Sequence, residues 1–295
     1  MSRSGGEGPR TLLEFVLRAS AYLAARGIPS ARLDAEVLLA HVLGVRRLDL
    51  YLEHGRSLAA GEVEAYRAVV RRRGDRVPVA YLTGEREFFS LRFRVSPDVL
   101  IPRPETEILV EEALAIARGR AAAGETTLAA DVGTGSGCIA VALARGVPSA
   151  RVVATDRSGP ALALARENAS AHGVLGRVAF ARADLLEAFQ GRSLDLVVSN
   201  PPYVDPAERG SLPPEVRDHE PAEAVFAPAG DPLALVRALA AGAARALRPG
   251  GVLLLEIAAG TRAAVEAELL RAGLGGISFR RDLAGIDRVA RSDAV

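Results

Sequence analysis

The first quarter of the chain has the apolar spacing of amphipathic helices. Leucine, valine and other apolar residues recur at intervals of three or four, which predicts helices over about 11–25, 30–43 and 60–73. Ser30 and Gly44 are the predicted caps of the second helix, and the third ends in Arg71-Arg72-Arg73, where positive charge complements the helix dipole. Residues 1–78 are therefore predicted to form a helical domain. Because it has no evident catalytic cluster, we interpret it as a substrate-recognition module.

The pattern changes at residues 79–100, where aromatic and β-branched residues alternate with turn formers. This pattern predicts a β-hairpin linker. A segment stiffened by two prolines follows and runs into a helix whose first turns are rich in glutamate. Arg103 lies between those prolines, on a rigid arm that suggests it is aimed at a ligand. A surface arginine in a linker is the alternative interpretation.

From Gly124 onward, short apolar runs alternate with helical stretches. This alternation predicts a mostly parallel sheet with helices on both faces, so residues 101–295 are predicted to form one α/β domain. The longest irregular segment, 201–230, is rich in proline and acid, and a loop of that length in a compact domain is usually functional. The predicted strands lie near 127–132, 151–155, 177–182, 194–199, 250–256, 276–281 and 287–291.

Polar residues stand where four of these strands end: Asp131, Asp156, Asp184 and Asn200. The carboxyl ends of parallel strands share one edge of a sheet, and open α/β sheets bind their ligands there. After Asn200, two prolines force the chain out of the sheet. The amide of Asn200 and the carbonyl of Pro201 suit a planar group that carries an NH₂, beside Pro202 and the aromatic wall of Tyr203. A strand followed by a structural proline turn is the alternative.

A glycine-rich turn follows the first predicted strand, and it favours a nucleoside cofactor. Its Gly-x-Gly-x-Gly spacing differs from that of dinucleotide-binding loops and lacks the lysine of a P-loop. An acid near this loop fits a ligand with positive charge, such as S-adenosylmethionine with its ammonium and sulfonium, while a redox dinucleotide remains the rival. Asp156 is placed to accept the ribose hydroxyls and Asp184 the adenine amino group. The loop residues are Asp131, Val132, Gly133, Thr134, Gly135, Ser136 and Gly137.

Composition narrows the class of protein. The chain of 295 residues is 49% apolar and 25% charged, an ordinary globular balance. A single cysteine and four scattered histidines argue against a disulfide framework and a metal site. No apolar run approaches a membrane span and the start is polar, so a cytoplasmic protein without membrane partners is predicted. Residues 1–94 carry net charge +5 and residues 95–295 carry −4, so the first domain could face an acidic partner or RNA, or simply be a solvated surface.

These motifs together resemble the protein-glutamine N5-methyltransferases of peptide chain release factors, the HemK family. The resemblance covers most of residues 78–295. Two family positions differ here: Leu185 stands where an aromatic residue often follows the acid, and the loop after the fifth strand reads Glu256-Ile257-Ala258-Ala259-Gly260-Thr261. The matching motifs are Tyr81-x-x-Gly84 with Phe88 or Phe89, Leu100-Ile101-Pro102-Arg103-Pro104-Glu105-Thr106-Glu107, the loop Asp131 to Gly137, Asn200-Pro201-Pro202-Tyr203, His219-Glu220-Pro221 and Asp282-Leu283-Ala284-Gly285-Ile286-Asp287-Arg288.

The resemblance implies a seven-stranded, Rossmann-like class I methyltransferase domain behind a helical domain and a hairpin. It implies methylation of the glutamine of a Gly-Gly-Gln motif, with S-adenosylmethionine as donor and release factors as protein partners. The predicted cofactor residues are the glycine loop, Asp156, Asp184, Leu185 and Asn200; the predicted substrate residues are Arg103, Glu107, Asn200, Pro201, Pro202 and Tyr203, the last four also catalytic.

Three rivals remain open. A ribosomal protein glutamine is the nearest alternative substrate. Amino-directed DNA methylation shares the tetrapeptide at residues 200–203 but needs a strongly basic groove, which the negative second domain does not favour. A catalytically silent RNA- or protein-binding module is the third, and it would not be expected to keep all four strand-end groups.

Overall fold

The computed structural model describes residues 11–295 and divides into two compact units, one ending at Gly84 and the other starting at Glu85. The sequence pattern predicts the end of the helical domain at residue 78 and a hairpin over residues 79–100. The hairpin itself is shorter than that segment, because residues 79–83 form a helix that belongs to the first unit.

The first unit is built from five helices around an apolar core. Three of them match the predicted ranges, and two short helices were not predicted. Among its largest fully buried side chains is Tyr66, whose hydroxyl donates to the carbonyl of Ala35 at 2.9 Å. The helices are α1 (Leu12–Ala24), α2 (Ala31–Leu43), α3 (Arg47–Leu52), α4 (Ala60–Gly74) and α5 (Val79–Thr83).

Local details of this unit correct two sequence interpretations. Ser30 is at the predicted cap position but makes no side-chain capping hydrogen bond, because its backbone (φ −89°, ψ 20°) lies outside the extended region from which a cap reaches the first turn. Thr11 and Glu14 form a capping box instead, at the start of α1. Arg73 is more than a charge at a helix end: it is buried and pairs with buried Asp34 at 2.7 Å.

The second unit contains a hairpin and an α/β domain. The hairpin, β1 (Glu85–Phe88) and β2 (Leu91–Arg94), turns through Phe89 and Ser90, both at positive φ. The helices are α6 (Thr106–Ala122), α7 (Cys138–Gly146), α8 (Gly159–Ala171), α9 (Pro214–His219), α10 (Ala222–Val225), α11 (Ala234–Ala246) and α12 (Arg262–Arg271). The strands are β3 (Thr127–Val132), β4 (Ala150–Asp156), β5 (Val178–Arg182), β6 (Leu194–Ser199), β7 (Leu247–Glu256), β8 (Leu274–Arg281) and β9 (Asp287–Ala294).

The seven strands form one sheet in the order β5-β4-β3-β6-β7-β9-β8, with β9 antiparallel to both of its neighbours. The predicted mostly parallel, seven-stranded sheet is therefore confirmed. The strand order reverses direction between β3 and β6, and a crevice for ligands opens at such a switch point. Two apolar clusters, one on each face, cover the central strands with helices.

The segment 201–230 is less irregular than predicted. It contains a 3₁₀ turn (Pro206–Ser211) and the two short helices α9 and α10. Prolines start these pieces, since their fixed φ suits the first turn of a helix. A parallel bridge between Val204 and Phe226 closes the segment onto itself, which gives it a defined shape.

Candidate active site

A cleft of about 1130 Å³, its open mouth included, lies over the carboxyl ends of β3, β4 and β6. Its lining comes from the segment before α6, the glycine loop, the ends of β4, β5 and β6, and helix α10. Eleven of the fifteen predicted site residues line it, and Asp131, Gly137, Glu107 and Tyr203 do not. The lining residues are Arg103, Gly133, Thr134, Gly135, Ser136, Asp156, Asp184, Leu185, Asn200, Pro201 and Pro202, and Thr106 joins them. Gly137 ends the glycine loop at the cleft floor, next to lining residues Ser136 and Cys138.

The glycine loop depends on conformations that only glycine adopts without strain. Gly135 has φ +53°, and a Cβ there would point into open space. Gly137 has φ +80°, and a Cβ there would approach Ala165 of α8 to 3.0 Å. The first glycine therefore keeps the main chain accessible to a ligand, while the second lets the loop pack closely on a helix.

Asp131 lies beneath the loop rather than on the cleft surface. Only 1% of it is exposed, and one carboxylate oxygen accepts hydrogen bonds from the Thr134 hydroxyl at 2.6 Å and the Ala140 N–H at 3.0 Å. The other oxygen is buried without a hydrogen-bond partner among the residues that the structure describes. Burial raises the pKa of Asp131 to about 6. It is therefore a buried carboxylate with unused acceptor capacity under the loop.

The two other acids differ in how firmly they are held. Both carboxylate oxygens of Asp156 accept backbone hydrogen bonds, from Gly135 and Ser158, each at 2.9 Å. The side chain of Asp184 is 53% exposed, and its closest charged partner is Arg157 at 3.8 Å. Asp156 is thus fixed by the main chain and Asp184 is solvated. Leu185, next to it, has φ +46°, a strained conformation for a side chain of this size.

Asn200 is held by a relay of side chains. The register pairs Ser199 of β6 with Leu255 of β7, so the next residue on each strand, Asn200 and Glu256, comes to the same place. Thr106 lies between them: its hydroxyl accepts from Asn200 Nδ2 at 3.1 Å and donates to Glu256 Oε2 at 2.6 Å. Glu256 is 1% exposed, and burial raises its pKa to about 6.

Tyr203 completes this group from the other side. Its hydroxyl donates to Glu256 Oε1 at 3.4 Å, and burial raises the pKa of Tyr203 to about 12. Unlike Pro201 and Pro202, it is absent from the cleft lining. The structure therefore brings Tyr203 to the buried carboxylate behind Asn200.

Arg103 and Glu107, the predicted substrate residues before α6, both make contacts inside this unit. Arg103 pairs with Glu220 at 2.6 Å, and Glu220 Oε2 also accepts from the Ile101 N–H at 3.3 Å. This clip ties the proline-rich arm to the 201–230 segment at the cleft. Glu107 accepts a hydrogen bond from the backbone of Phe89 at 2.8 Å, which fixes the hairpin turn to α6; it does not line the cleft.

Three members of the site, Thr106, Glu220 and Glu256, were not predicted from the sequence as functional residues. Glu256 did carry a signal, because it is an acid directly after an apolar strand, as Asp131 and Asp156 are. That signal could be assigned to the site only once the strand order was known, because β7 is far from β3 in sequence but next to β6 in the sheet.

Two further properties of residues 11–295 bear on the site. No group of three or more His, Cys, Asp or Glu side chains in this range is arranged to hold a metal ion. None of the helices in the same range is both long and apolar enough to cross a membrane.

Comparison with known proteins follows the same division of the chain. The family described as the PrmC N-terminal domain matches residues 14–84, and the methyltransferase small domain matches residues 108–212. A release factor glutamine methyltransferase of Chlorobaculum tepidum is 43% identical over 94% of this chain and 95% of its own. One of Cereibacter sphaeroides is 45% identical (90% and 92%), and one of Rhodopirellula baltica is 36% identical (98% and 98%).

Solved structures agree on the fold alone. The hMettl16 catalytic domain, in complex with a 3′UTR hairpin, superposes with a TM-score of 0.57 at 17% identity and covers 72% of this chain and 79% of that one. A methyltransferase from Pyrococcus furiosus gives 0.51 at 14% identity, with 78% and 98% covered. With relatives of 36% to 45% identity along nearly its whole length, the chain belongs to the release factor glutamine methyltransferase family, and the resemblance drawn from its motifs is confirmed.

Proposed function

We propose that this protein transfers the methyl group of S-adenosylmethionine to the side-chain nitrogen of a glutamine in a peptide chain release factor. The observation that carries the proposal is that one cleft is lined both by Asn200 and Pro201, whose oxygens can accept the hydrogens of a substrate amide, and by a glycine loop over a buried acid. We call these two parts the amide end and the loop end of the cleft. The near full-length relatives, all named release factor glutamine methyltransferase, point to the same reaction.

The residues at the loop end fit this cofactor. The orphaned carboxylate oxygen of Asp131 and the solvated carboxylate of Asp184 leave negative charge at the loop end of the cleft, which suits a ligand with an ammonium and a sulfonium. Asp156 would accept the ribose hydroxyls, with Asp184 and Leu185 beside the adenine. When bound, the cofactor supplies an electrophilic methyl group.

The chain's own task at the other end is to orient a poor nucleophile. An amide nitrogen shares its lone pair with the carbonyl, so it must be held facing the methyl group. We assign one amide hydrogen of the substrate to Asn200 Oδ1 and the other to the carbonyl of Pro201. Two fixed acceptors orient the nitrogen and stabilise the positive charge that develops on it as the new bond forms. The nitrogen becomes acidic only then, so no strong base is needed beforehand.

Recognition of the protein substrate falls to surfaces around the mouth and to the first unit. The clip between Arg103 and Glu220 gives the 201–230 segment a defined position, so we assign that segment to contacts with the release factor. The helical unit is assigned to substrate affinity because it lacks a catalytic cluster and carries the positive excess. The family resemblance implies a catalytic and substrate-binding role for Pro202 and Tyr203, and a substrate-binding role for Glu107.

The test is methylation with labelled S-adenosylmethionine of three substrates in parallel: a release factor with a Gly-Gly-Gln motif, the same factor with that glutamine changed to alanine, and ribosomal protein. Label is expected on the first only, and peptide mapping should place it on the glutamine. Label on the ribosomal protein alone, or on none of the three, overturns the proposal. A DNA duplex added as a fourth substrate reports the nucleic-acid alternative.

A further inference from the structure

We infer that Thr106 and Glu256 are positioning residues that set which way the Asn200 amide faces. Neither needs to touch the substrate glutamine. The inference deepens the proposed function and rests on it, because it concerns the acceptor oxygen that the methyl-accepting amide would meet.

The direction of each hydrogen bond in the relay follows from what each group can donate. An ionised carboxylate only accepts hydrogen bonds, and a threonine hydroxyl has a single hydrogen. The short contact of 2.6 Å between Thr106 Oγ1 and Glu256 Oε2 uses that hydrogen. The hydroxyl can then only accept from its second neighbour, so Asn200 must present its NH₂ to Thr106.

The consequence appears at the cleft. Because the Asn200 NH₂ is turned toward Thr106 at 3.1 Å, its carbonyl oxygen Oδ1 is left for the substrate. An asparagine without this constraint could present either end, since the two differ little in shape. The flipped amide would offer donors to an amide nitrogen that itself only donates. The relay therefore removes the unproductive orientation.

The relay is also built on rigid elements. Thr106 is the first residue of α6, which packs against β6 and β7, and its side chain is nearly fully buried. Glu256 ends β7 and has its second oxygen in contact with the Tyr203 hydroxyl. Both side chains are buried in packed elements, so we infer that the orientation is set before substrate binds.

The decisive variant is Thr106→Val, which keeps the branched shape and removes the hydroxyl. Single-turnover methyl transfer to a release factor with a Gly-Gly-Gln motif is expected to fall roughly tenfold or more. The affinity for S-adenosylmethionine, measured by calorimetric titration, and the KM for the release factor should stay within a few-fold. Thr106→Ser restores the hydroxyl and should recover most of the rate.

Thr127→Val is the matched control. Thr127 is also fully buried, but it lies at the amino end of β3, and its hydroxyl has no hydrogen-bond partner among the residues that the structure describes. It should behave as the parent protein does. If Thr106→Val matches the parent rate, or if Thr106→Ser fails to recover a lost rate, the inference is wrong while the proposed function stands. If the parent protein itself does not methylate the release factor, the proposed function fails first.

Discussion

The two ends of the cleft are constructed from different parts of the chain. At the loop end, the main chain does most of the work: the N–H groups of Gly133 and Thr134 bond to the carbonyl of Thr155, and that of Gly135 bonds to Asp156. At the amide end, the Asn200 side chain donates to the Thr106 hydroxyl, which in turn donates to Glu256, so side chains hold it in series.

This difference predicts two kinds of mutational response. Several main-chain hydrogen bonds hold the loop end, so loss of one side chain there should weaken cofactor binding by a limited factor. A series of single side-chain links has no such reserve. Changes at the amide end should therefore act on the rate of methyl transfer, and changes at the loop end on cofactor affinity.

The largest effect is expected for Asn200→Ala. The substitution removes the acceptor and leaves one amide hydrogen of the substrate unpaired in the cleft, so single-turnover methyl transfer should fall roughly 10²–10³-fold. Thermal unfolding should change little because Asn200 follows a strand end, and the affinity for S-adenosylmethionine, measured by calorimetric titration, should fall much less than the rate. A rate within a few-fold of the parent would make Asn200 a structural cap on the proline turn.

The next largest effect is expected for Asp156→Ala. It removes a charged acceptor assigned to the ribose, so the affinity for S-adenosylmethionine should fall roughly 10- to 100-fold. At saturating cofactor, the single-turnover rate should recover to near the parent value, which Asn200→Ala cannot do. Unchanged affinity in the titration would remove Asp156 from the cofactor site.

The pH dependence of the methyl-transfer rate tests the amide end of the cleft by itself, through the titration of Glu256. Protonated Glu256 can donate to Thr106, which frees the threonine hydrogen to turn toward Asn200 and favours the wrong amide orientation. With a pKa of about 6 for Glu256, the single-turnover rate at saturating cofactor should fall as pH drops through that value and level off below it, near the rate of Thr106→Val. Glu256→Gln should be slower at pH 8 and flat with pH. A parent profile that is level from pH 5 to 8 contradicts this.

The charges around Glu256 act in both directions. Burial raises its pKa most, hydrogen bonds from the hydroxyls of Thr106 and Tyr203 lower it, and the charges of Glu105 and Arg288 then raise and lower it respectively. Burial raises the pKa of the Cys138 thiol, and the nearby carboxylates of Asp131 and Glu256 raise it further. Replacement of Arg288 by glutamine should therefore move the midpoint of the pH profile upward.

The loss of rate expected at low pH is not caused by unfolding of the protein when Asp131 and Glu256 become protonated. Asp131 and Glu256 both have a pKa raised above the unfolded value, so the folded state holds their protons more firmly. Their contribution to stability is complete below about pH 4 and is lost as pH rises through about 6. Thermal unfolding at pH 5 and pH 8 checks this: protonation of these two groups alone should not lower the melting temperature at pH 5.

The smallest effect is expected for Asp184→Ala. The carboxylate is exposed, and hydrogen bonds in contact with water contribute little net free energy, so cofactor affinity should fall only about two- to tenfold. Glu187→Ala is a matched control, because Glu187 is also exposed and lies outside the cleft. A loss as large as that of Asp156→Ala would show that the closing of the cleft around the cofactor buries Asp184.

The sequence by itself determined which polar residues lie at the carboxyl ends of the parallel strands, around the cleft. Asp131, Asp156, Asp184 and Asn200 each follow an apolar run, and parallel strands deliver their carboxyl ends to one edge. The tight turn at Gly135 and Gly137 was also predictable from the sequence, because few residues other than glycine tolerate the positive φ and the close packing found there. All seven strands and the three longer helices of the first unit were predictable for the same reason: apolar periodicity is a local property.

Only the tertiary structure decided what stands behind Asn200. Thr106 and Glu256 form a hydrogen bond although they are 150 residues apart in the sequence. They meet because β7 pairs with β6 and α6 packs across both. Likewise, burial turned Arg73 from a helix-end charge into a partner of Asp34. A local pattern carries no record of strand order or of which charges become enclosed, because both depend on how the whole chain buries its apolar surface.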